Sequence, residues 1–404
     1  MPSTPHLGHH RHPPRHTHRR TYPQHQFLFS HRRALRVATQ LDTFDPLTDT
    51  RRGGMIFRQL FDSASSTYTY LIASRRGGEA LIIDPVLEKV DRYLQLFDEL
   101  EVKLIKAIDT HVHADHITAI GALRDHTRCI TVMGERSAVD TVSMRVAEDD
   151  TITIEGITLQ VIYTPGHTDD SYSFVMEDRV FTGDTLLIRG TGRTDFQSGD
   201  PIAQYDSLFN KLLKLPAETL VYPAHDYKGD TVSTIGEELR CNPRLQVTSA
   251  NTYAAIMNNL NLANPKMMDV AVPANLTIGL RQDDIDERGG SVTAADARTL
   301  LDRQDTVLVD LRDTTERDRE GVIPGSVHTP YPELAAHLGR GGLLHELVQA
   351  TGKRIVFYCA YGERSAMAVS AAHEAGLHNV CHIQGGVDAW RKSGAALEPG
   401  NESR

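Results

Sequence analysis

Hydrophobic and polar positions follow a regular pattern only from about residue 55 onward. In the first half of that region, short runs rich in β-branched and aromatic residues are separated by turn residues, which predicts strands. These strands are predicted at 56–61, 67–73, 79–84, 104–109, 129–132, 151–154, 157–163, 172–176, 179–182 and 219–222. Apolar residues at helical spacing predict helices at 88–100, 117–124, 202–215 and 247–260. This order predicts two sheets covered on the outside by helices.

The pattern changes after residue 243. Segment 264–276 contains two prolines and is predicted to be irregular. Segment 281–290, with four acids among the five positions 283–287, is typical of an interdomain linker. Beyond it, helices are predicted at 294–301, 332–338, 365–375 and 387–393, and strands at 306–310, 354–358 and 380–382. Alternating strands and helices predict a parallel sheet with helices on both faces, so the fold class is α/β throughout.

The first 54 residues differ from the rest of the chain. They hold eight of the twenty histidines, and nine arginines against three aspartates. No apolar segment follows the basic residues, which excludes a secretory signal, although the composition is similar to that of a transit peptide or a metal-binding tract. We expect a disordered extension at 1–54, with the true start allowed at Met55. The expected domains are then 55–280 and 291–399, joined by the linker at 281–290.

Charge and cysteine content narrow the class of protein. The net charge is −10 in spite of the basic first segment, so the body of the chain is strongly acidic, which argues against a nucleic-acid partner. The apolar runs are too short to span a bilayer, so no membrane partner is expected. The four cysteines are scattered and form no CxxC pair, which favours a reducing, cytoplasmic location. The sequence leaves a homo-oligomeric state open.

Potential metal ligands follow the ends of four predicted strands. They are His111, His113, Asp115 and His116 in an HxHxDH run after one strand, and His167, Asp184 and His225 after three others. Strand ends are where α/β sheets place their sites, so these side chains are expected to converge. Convergence of so many imidazoles and carboxylates predicts a metal site. The residue types alone allow either one ion or two.

Segment 55–279 resembles the persulfide dioxygenases, a branch of the metallo-β-lactamase superfamily. The HxHxDH run identifies the superfamily, and the stretches GRTDFQ (192–197) and YPAHDY (222–227) are specific to the branch. The resemblance implies an αββα sandwich with the metal at the edge between the sheets. It also implies one Fe(II) per chain, held by His111, His167 and Asp184.

The same resemblance assigns roles to the residues around the metal. It implies that His113, Asp115, His116 and His225 orient the ligands and bind water. It also implies that Arg193, Tyr227 and Arg244 contact the glutathione part of the substrate. Fixed cations and a phenol donor suit a tripeptide that carries two carboxylates.

A second site is predicted around Cys359. The segment Cys359-Ala360-Tyr361-Gly362-Glu363-Arg364 lies between an apolar strand and a helix, so the cysteine is placed at a helix N-terminus that favours a thiolate. This loop, together with Asp310-Leu311-Arg312 and Gln384-Gly385-Gly386, resembles the rhodanese domains over 291–399. The resemblance implies that Cys359 and Arg364 are catalytic and that thiosulfate or sulfite is a substrate.

The expected activity is oxidation of glutathione persulfide by O₂ to sulfite and glutathione at the iron, coupled to sulfane-sulfur transfer through Cys359. One alternative is a binuclear zinc thioester hydrolase of the glyoxalase II type carrying a sulfur-carrier domain. A second alternative is a sulfur-sensing or sulfur-relay protein whose metal is structural. Metal content separates the first alternative from the expected activity, and oxygen consumption separates the second.

Overall fold

The structure is a computed structural model that describes residues 54–139, 141–196, 198–260, 262–263, 265–278, 290–302 and 305–400. The segment expected to be a disordered extension lies outside the described residues except for Gly54. The predicted linker also lies outside them except for Gly290. Both expectations therefore stay predictions.

The first half of the described chain forms two six-stranded sheets. One sheet has the order β1-β2-β3-β4-β5-β6, with β1 Ile56–Asp62, β2 Thr67–Ala73, β3 Glu79–Ile83, β4 Lys103–Ile108, β5 Ile130–Gly134 and β6 Met144–Val146. The other has the order β12-β11-β10-β9-β8-β7, with β7 Thr151–Ile154, β8 Ile157–Tyr163, β9 Tyr172–Val175, β10 Arg179–Phe181, β11 Leu220–Tyr222 and β12 Ser233–Thr234. Every predicted strand of this region is present, and β6 and β12 are additions that the pattern did not reveal.

Helices cover the outer face of each sheet. They are Val90–Leu100, Ile120–Thr127, Pro201–Asp206, Ile235–Cys241, Ala250–Met257 and Met268–Asn275. A buried core that includes Ile72, Ile83 and Phe174 lies between the sheets, while Phe97 and Leu123 pack on the outside of the first sheet and Leu208 on the second. The predicted αββα sandwich is confirmed. Strand β2 is buried along its whole length because it is covered on both faces.

The last hundred residues form a third, smaller sheet. Its order is β13-β17-β16-β14-β15, all parallel, with β13 Ser291–Val292, β14 Thr306–Asp310, β15 Val327–His328, β16 Arg354–Tyr358 and β17 Val380–Ile383. The helices here are Ala294–Asp302, Thr314–Glu320, Leu334–Leu338, Leu343–Thr351, Glu363–Glu374 and Gly386–Lys392. Two apolar clusters, one on each face of the sheet, confirm the predicted layering. Among the helices that the structure describes, none has the length and apolarity needed to cross a bilayer.

Two sequence-based expectations about helices were wrong. The segment predicted to be irregular contains the helix Met268–Asn275 with Pro273 inside it, and Asn275 at its end is held by hydrogen bonds to the carbonyl oxygens of His113 and His116. The helix predicted over 202–215 is α-helical only over Pro201–Asp206 and continues as a π turn and a 3₁₀ turn.

Candidate metal centre and cysteine loop

Three potential ligands converge at the edge between the first two sheets. His111 follows β4, His167 follows β8 and Asp184 follows β10. One donor atom from each lies within 4.8 Å of the other two, and all three residues are buried. The structure thus brings together the trio that the resemblance implied.

A hydrogen-bonded chain fixes the ring of His111. Thr110 donates its backbone N–H (2.7 Å) and its hydroxyl (3.0 Å) to the carboxylate of Asp84. Since that hydroxyl has a single proton, it accepts from Nδ1 of His111 at 2.9 Å. Burial and the neighbouring imidazole of His113 lower the pKa of His111 well below its usual value. His111 is therefore neutral, with the lone pair of Nε2 free to bind a metal ion.

A backbone carbonyl group fixes the tautomer of His167, as the Thr110 hydroxyl does for His111. Its Nδ1 lies 2.7 Å from the carbonyl oxygen of Arg193, an acceptor only, so Nδ1 carries the proton and Nε2 faces Asp184 at 3.5 Å. The close approach depends on Gly192, where a Cβ atom would lie 2.1 Å from the carbonyl oxygen of Asp184 and 2.9 Å from Nδ1 of His167. Any side chain at position 192 would displace two ligands at once.

His225 is held between two carboxylates. Its Nδ1 lies 2.6 Å from Oδ1 of Asp184, and its Nε2 lies 2.8 Å from Oδ2 of Asp115. Burial disfavours the charged ring, but the two carboxylates outweigh it and raise the pKa of His225 well above its usual value. Thr67 contacts the same Asp115 oxygen at 3.0 Å. With both nitrogens engaged, His225 orients Asp184 and offers no lone pair to a metal.

His113 and His116 of the HxHxDH run lie beside the trio. Nε2 of His113 is 3.2 Å from Asp84, which raises the pKa of His113 to about 9 against the effect of burial. Nδ1 of His116 is 2.9 Å from Asp115. Donor atoms of His113, Asp115 and His116 also lie within 4.8 Å of one another, so these residues form a second group that could hold an ion.

The helix Met268–Asn275 supports this loop from outside. The side-chain amide of Asn275 donates to the carbonyl oxygens of His113 (2.9 Å) and His116 (2.8 Å), and its Oδ1 accepts from the backbone of Thr118 at 2.9 Å. Sequence reasoning assigned no role to Asn275, Asp84 or Thr110. Only Asp84 carried a signal, since it ends a predicted strand.

The trio fits a divalent first-row metal ion. Two neutral imidazoles and one carboxylate are the donors that non-haem Fe(II) oxygenases use, and their tautomers here present Nε2 to the centre. The outer contacts of the ligands come from carboxylate, hydroxyl and backbone groups, as is usual for metal-binding histidines.

The three residues expected to contact glutathione differ in their surroundings. Arg193 is clasped by Asp195 at 2.6 and 2.7 Å and donates to the backbone of residues 262 and 263. Arg244 is half-buried and donates to Thr191, and it forms no ion pair within the described ranges. Tyr227 is 72% exposed, and its ring is parallel to that of His225 with 6.1 Å between centroids.

Cys359 lies where β16 ends and the helix Glu363–Glu374 begins. The backbone N–H of Gly362 points at its Sγ at 3.1 Å, and the hydroxyl of Ser365 lies 3.6 Å from the same sulfur. The residue is only 1% exposed. The thiol is placed to donate to the Ser365 hydroxyl, which itself donates to the carbonyl oxygen of Gly362 at 2.9 Å. The N–H of Gly362 therefore donates to the sulfur, and the thiolate stays a prediction.

Arg364 does not face an open substrate site. Its guanidinium forms two hydrogen bonds with Glu316, at 2.7 and 2.5 Å, and a third with the carbonyl oxygen of Ser143 in the first domain at 2.7 Å. The side chain is fully buried. In this conformation Arg364 holds the loop in place, and its expected catalytic role stays a prediction.

Comparisons with known proteins match both domains. The model of the metallo-beta-lactamase superfamily matches residues 63–141 and 144–225, and that of the rhodanese-like domain matches residues 293–393. Mouse persulfide dioxygenase ETHE1 is 45% identical over 230 residues, which cover 56% of this chain and 90% of that protein. A hydroxyacylglutathione hydrolase of Idiomarina loihiensis is 33% identical over 221 residues, covering 54% of this chain and 81% of that protein.

A solved structure of a dioxygenase relative is also similar to this chain. The crystal structure of ETHE1 from Myxococcus xanthus is 55% identical and covers 55% of this chain and 98% of its own, with a TM-score of 0.54. Identity to the dioxygenases thus exceeds identity to the hydrolase. The chain belongs to the persulfide dioxygenase family of the metallo-β-lactamase superfamily, and it carries a rhodanese-like domain at its C-terminal end.

Proposed function

We propose that the first domain oxidises glutathione persulfide with O₂ at a single Fe(II), and that the second transfers sulfane sulfur through Cys359. Glutathione persulfide, O₂ and water give glutathione, sulfite and two protons. Thiosulfate and glutathione give glutathione persulfide and sulfite. The second reaction makes the substrate of the first, which gives a chemical reason for the fusion.

The observation that carries the proposal is the arrangement of the ligands. His111, His167 and Asp184 supply three donors, and both nitrogens of His225 are engaged by carboxylates, which leaves His225 no lone pair for an ion. Three protein ligands leave positions open on an iron ion, which supplies activation of dioxygen beside the persulfide sulfur. The protein residues hold the ligand tautomers and exclude water from the buried side.

The glutathione part of the substrate needs cations near the metal. Arg244 is best suited, because burial lowers its pKa and no described carboxylate neutralises it. An anionic group of the substrate would restore the partner that a half-buried guanidinium lacks. The aromatic face and hydroxyl of the exposed Tyr227 lie beside His225 at the mouth of the site. Arg193 can contribute only by sharing a guanidinium that Asp195 already holds.

The rhodanese-like domain supplies the carrier. The thiolate of Cys359 attacks the outer sulfur of thiosulfate, the S–S bond breaks, and sulfite leaves with the electron pair. Glutathione thiolate then takes the sulfur from the Cys359 persulfide and restores the thiolate. The N–H of Gly362 is placed to hold the charge on the sulfur in both states. Because the two domains are joined in one chain, glutathione persulfide made by the second domain reaches a higher local concentration near the first.

Replacing Cys359 by Ser separates the two reactions. Sulfur transfer from thiosulfate to glutathione should vanish, because a hydroxyl is far less acidic and forms no persulfide. Oxygen uptake with preformed glutathione persulfide should persist, and uptake driven by thiosulfate plus glutathione should fall to background. The matched control is Cys381→Ser, since Cys381 is a buried cysteine of the same sheet outside the loop. Loss of uptake with preformed persulfide in the Cys359 variant would contradict the two-site proposal.

A further inference from the structure

The loop that holds Cys359 is tied to the first domain by two adjacent charged residues. Glu363 accepts from the guanidinium of Arg124 at 2.7 Å and from the hydroxyl of Ser143 at 2.8 Å. Arg364 donates to the backbone carbonyl of the same Ser143. All four residues are at least nine-tenths buried.

These contacts bear directly on the sulfur site. Glu363 is the first residue of the helix and follows Gly362, whose N–H points at Sγ of Cys359. A shift of Glu363 therefore moves the donor that faces the sulfur. Ser143 is itself held, because it accepts from the hydroxyl of Thr131 at 3.0 Å and its backbone N–H donates to the same hydroxyl at 2.9 Å. Strand β5, which carries Thr131, thus supports the loop from the first domain.

The ion pair between Arg124 and Glu363 is buried, so its two charges depend on each other. Taking a carboxylate and a guanidinium out of water costs free energy that is recovered only if the two remain paired. Arg124 and Glu363 are separated by 239 residues in sequence and belong to different domains. Arg124 also pairs with the half-exposed Asp125 at 3.0 Å, whereas Glu363 without Arg124 would keep only the hydroxyl of Ser143. Loss of Arg124 should therefore leave the charge of Glu363 poorly compensated and shift the loop.

We infer that Arg124 and Ser143 of the first domain are positioning residues of the sulfurtransferase site. This inference rests on the proposed sulfurtransferase function of Cys359. The second domain supplies the cysteine and the loop, and the first domain fixes the loop conformation through Glu363 and Arg364. The sulfurtransferase site is in this sense composed of both domains.

Arg124→Met in the full-length chain tests the inference. Thiosulfate:glutathione sulfurtransferase kcat/KM should fall roughly ten- to hundred-fold, the size expected when one partner of a buried charged hydrogen bond is lost. Oxygen uptake with preformed glutathione persulfide should be unchanged, because Arg124 contacts no residue of the metal trio. Hydrogen–deuterium exchange of residues 359–366 should become faster. Arg124→Lys should keep most of the activity, because it keeps the cation.

A paired variant separates positioning from a general effect on folding. Arg124→Met combined with Glu363→Gln removes both buried charges, so it should recover sulfurtransferase activity and slow exchange relative to Arg124→Met alone. The matched control is Asp150→Asn, which breaks the interdomain ion pair with Arg319 (2.6 Å) but removes no bond to Glu363 or Arg364, and it should leave sulfur transfer unchanged.

Two results would overturn the inference. One is normal sulfur transfer and normal loop exchange in Arg124→Met. The other is a general docking effect, seen as a loss in Asp150→Asn equal to that in Arg124→Met together with no recovery in the paired variant. If the wild-type protein transfers no sulfur, the proposed function fails, while the exchange comparison among the same variants still decides whether Arg124 fixes the loop.

Discussion

Replacing Thr110 by Val removes one hydroxyl from beneath the metal ligands and keeps the shape of the side chain. The hydroxyl donates to Asp84 at 3.0 Å and accepts from Nδ1 of His111 at 2.9 Å, and all three residues are buried. Valine can replace neither contact. One oxygen of Asp84 loses a donor, and the N–H of His111 loses its acceptor.

The size of the effect follows from those two losses. Leaving a buried polar group unpartnered costs about 1–3 kcal/mol for each group. His111 is then free to rotate or to change tautomer, and loss of such an orienting partner weakens metal binding about ten- to hundred-fold. We therefore expect Thr110→Val to lower both the free energy of unfolding and the affinity for Fe(II).

The assay is competition for Fe(II) against a chelator of known affinity, with chemical denaturation run on the same samples. The control is Thr164→Val, since Thr164 is fully buried and its hydroxyl bonds to Ser173 at 2.9 Å without contacting a ligand. Thr164→Val should lose stability and keep its iron affinity. Wild-type iron affinity in Thr110→Val would refute the reasoning, because His111 would then need no outer partner.

Three further changes probe other parts of the account. His225→Ala should keep most of its iron, because His225 offers no free nitrogen, whereas His111→Ala should lose its iron. Elemental analysis measures both, and equal loss of iron would exclude the mononuclear assignment. Arg244→Met should raise KM for glutathione persulfide about ten- to hundred-fold and leave the iron content unchanged. Steady-state oxygen uptake measures this KM, and a normal value would place the substrate carboxylates elsewhere. Lys106→Met should lower the free energy of unfolding by about 3–5 kcal/mol, because buried Lys106 pairs with Asp313 across the domains. An unchanged midpoint of chemical denaturation would argue against that pairing.

The convergence of the candidate ligands was predictable from sequence because each group follows a strand with a clear apolar pattern, and α/β sheets place their sites at strand ends. The choice of His111, His167 and Asp184 among these groups came from the family resemblance. The roles of the remaining histidines could not be predicted in this way. Whether His225 ligates a metal or bridges two carboxylates depends on distances of less than an ångström.

The residues that hold the ligands and their loop in place could not be assigned these roles from the sequence. Thr110 and Asn275 act through single hydrogen bonds to partners far along the chain, and no spacing rule finds such contacts. The contacts of Glu363 and Arg364 with the first domain were also hidden, because sequence reasoning treated the two domains separately.

Some structure that sequence reasoning missed did carry a signal. The helix Thr314–Glu320 begins with a capping box in which Asp313 and Glu316 bond each other's backbone, and the D-x-x-E spacing is visible in the sequence. The helix Met268–Asn275 carried the opposite signal, since Pro265 before it and Pro273 within it favoured a loop. Tertiary contacts of Asn275 and the buried Ala271 outweigh that local preference.

The central claim is that one iron ion in the first domain consumes O₂ with glutathione persulfide. The direct test measures metal content by elemental analysis and oxygen uptake in the same preparation, after removal of metal and again after addition of Fe(II) or Zn²⁺. The account predicts one iron per chain and uptake that Fe(II) restores and Zn²⁺ does not. Two zinc ions per chain, with thioester hydrolysis and no oxygen uptake, would contradict it.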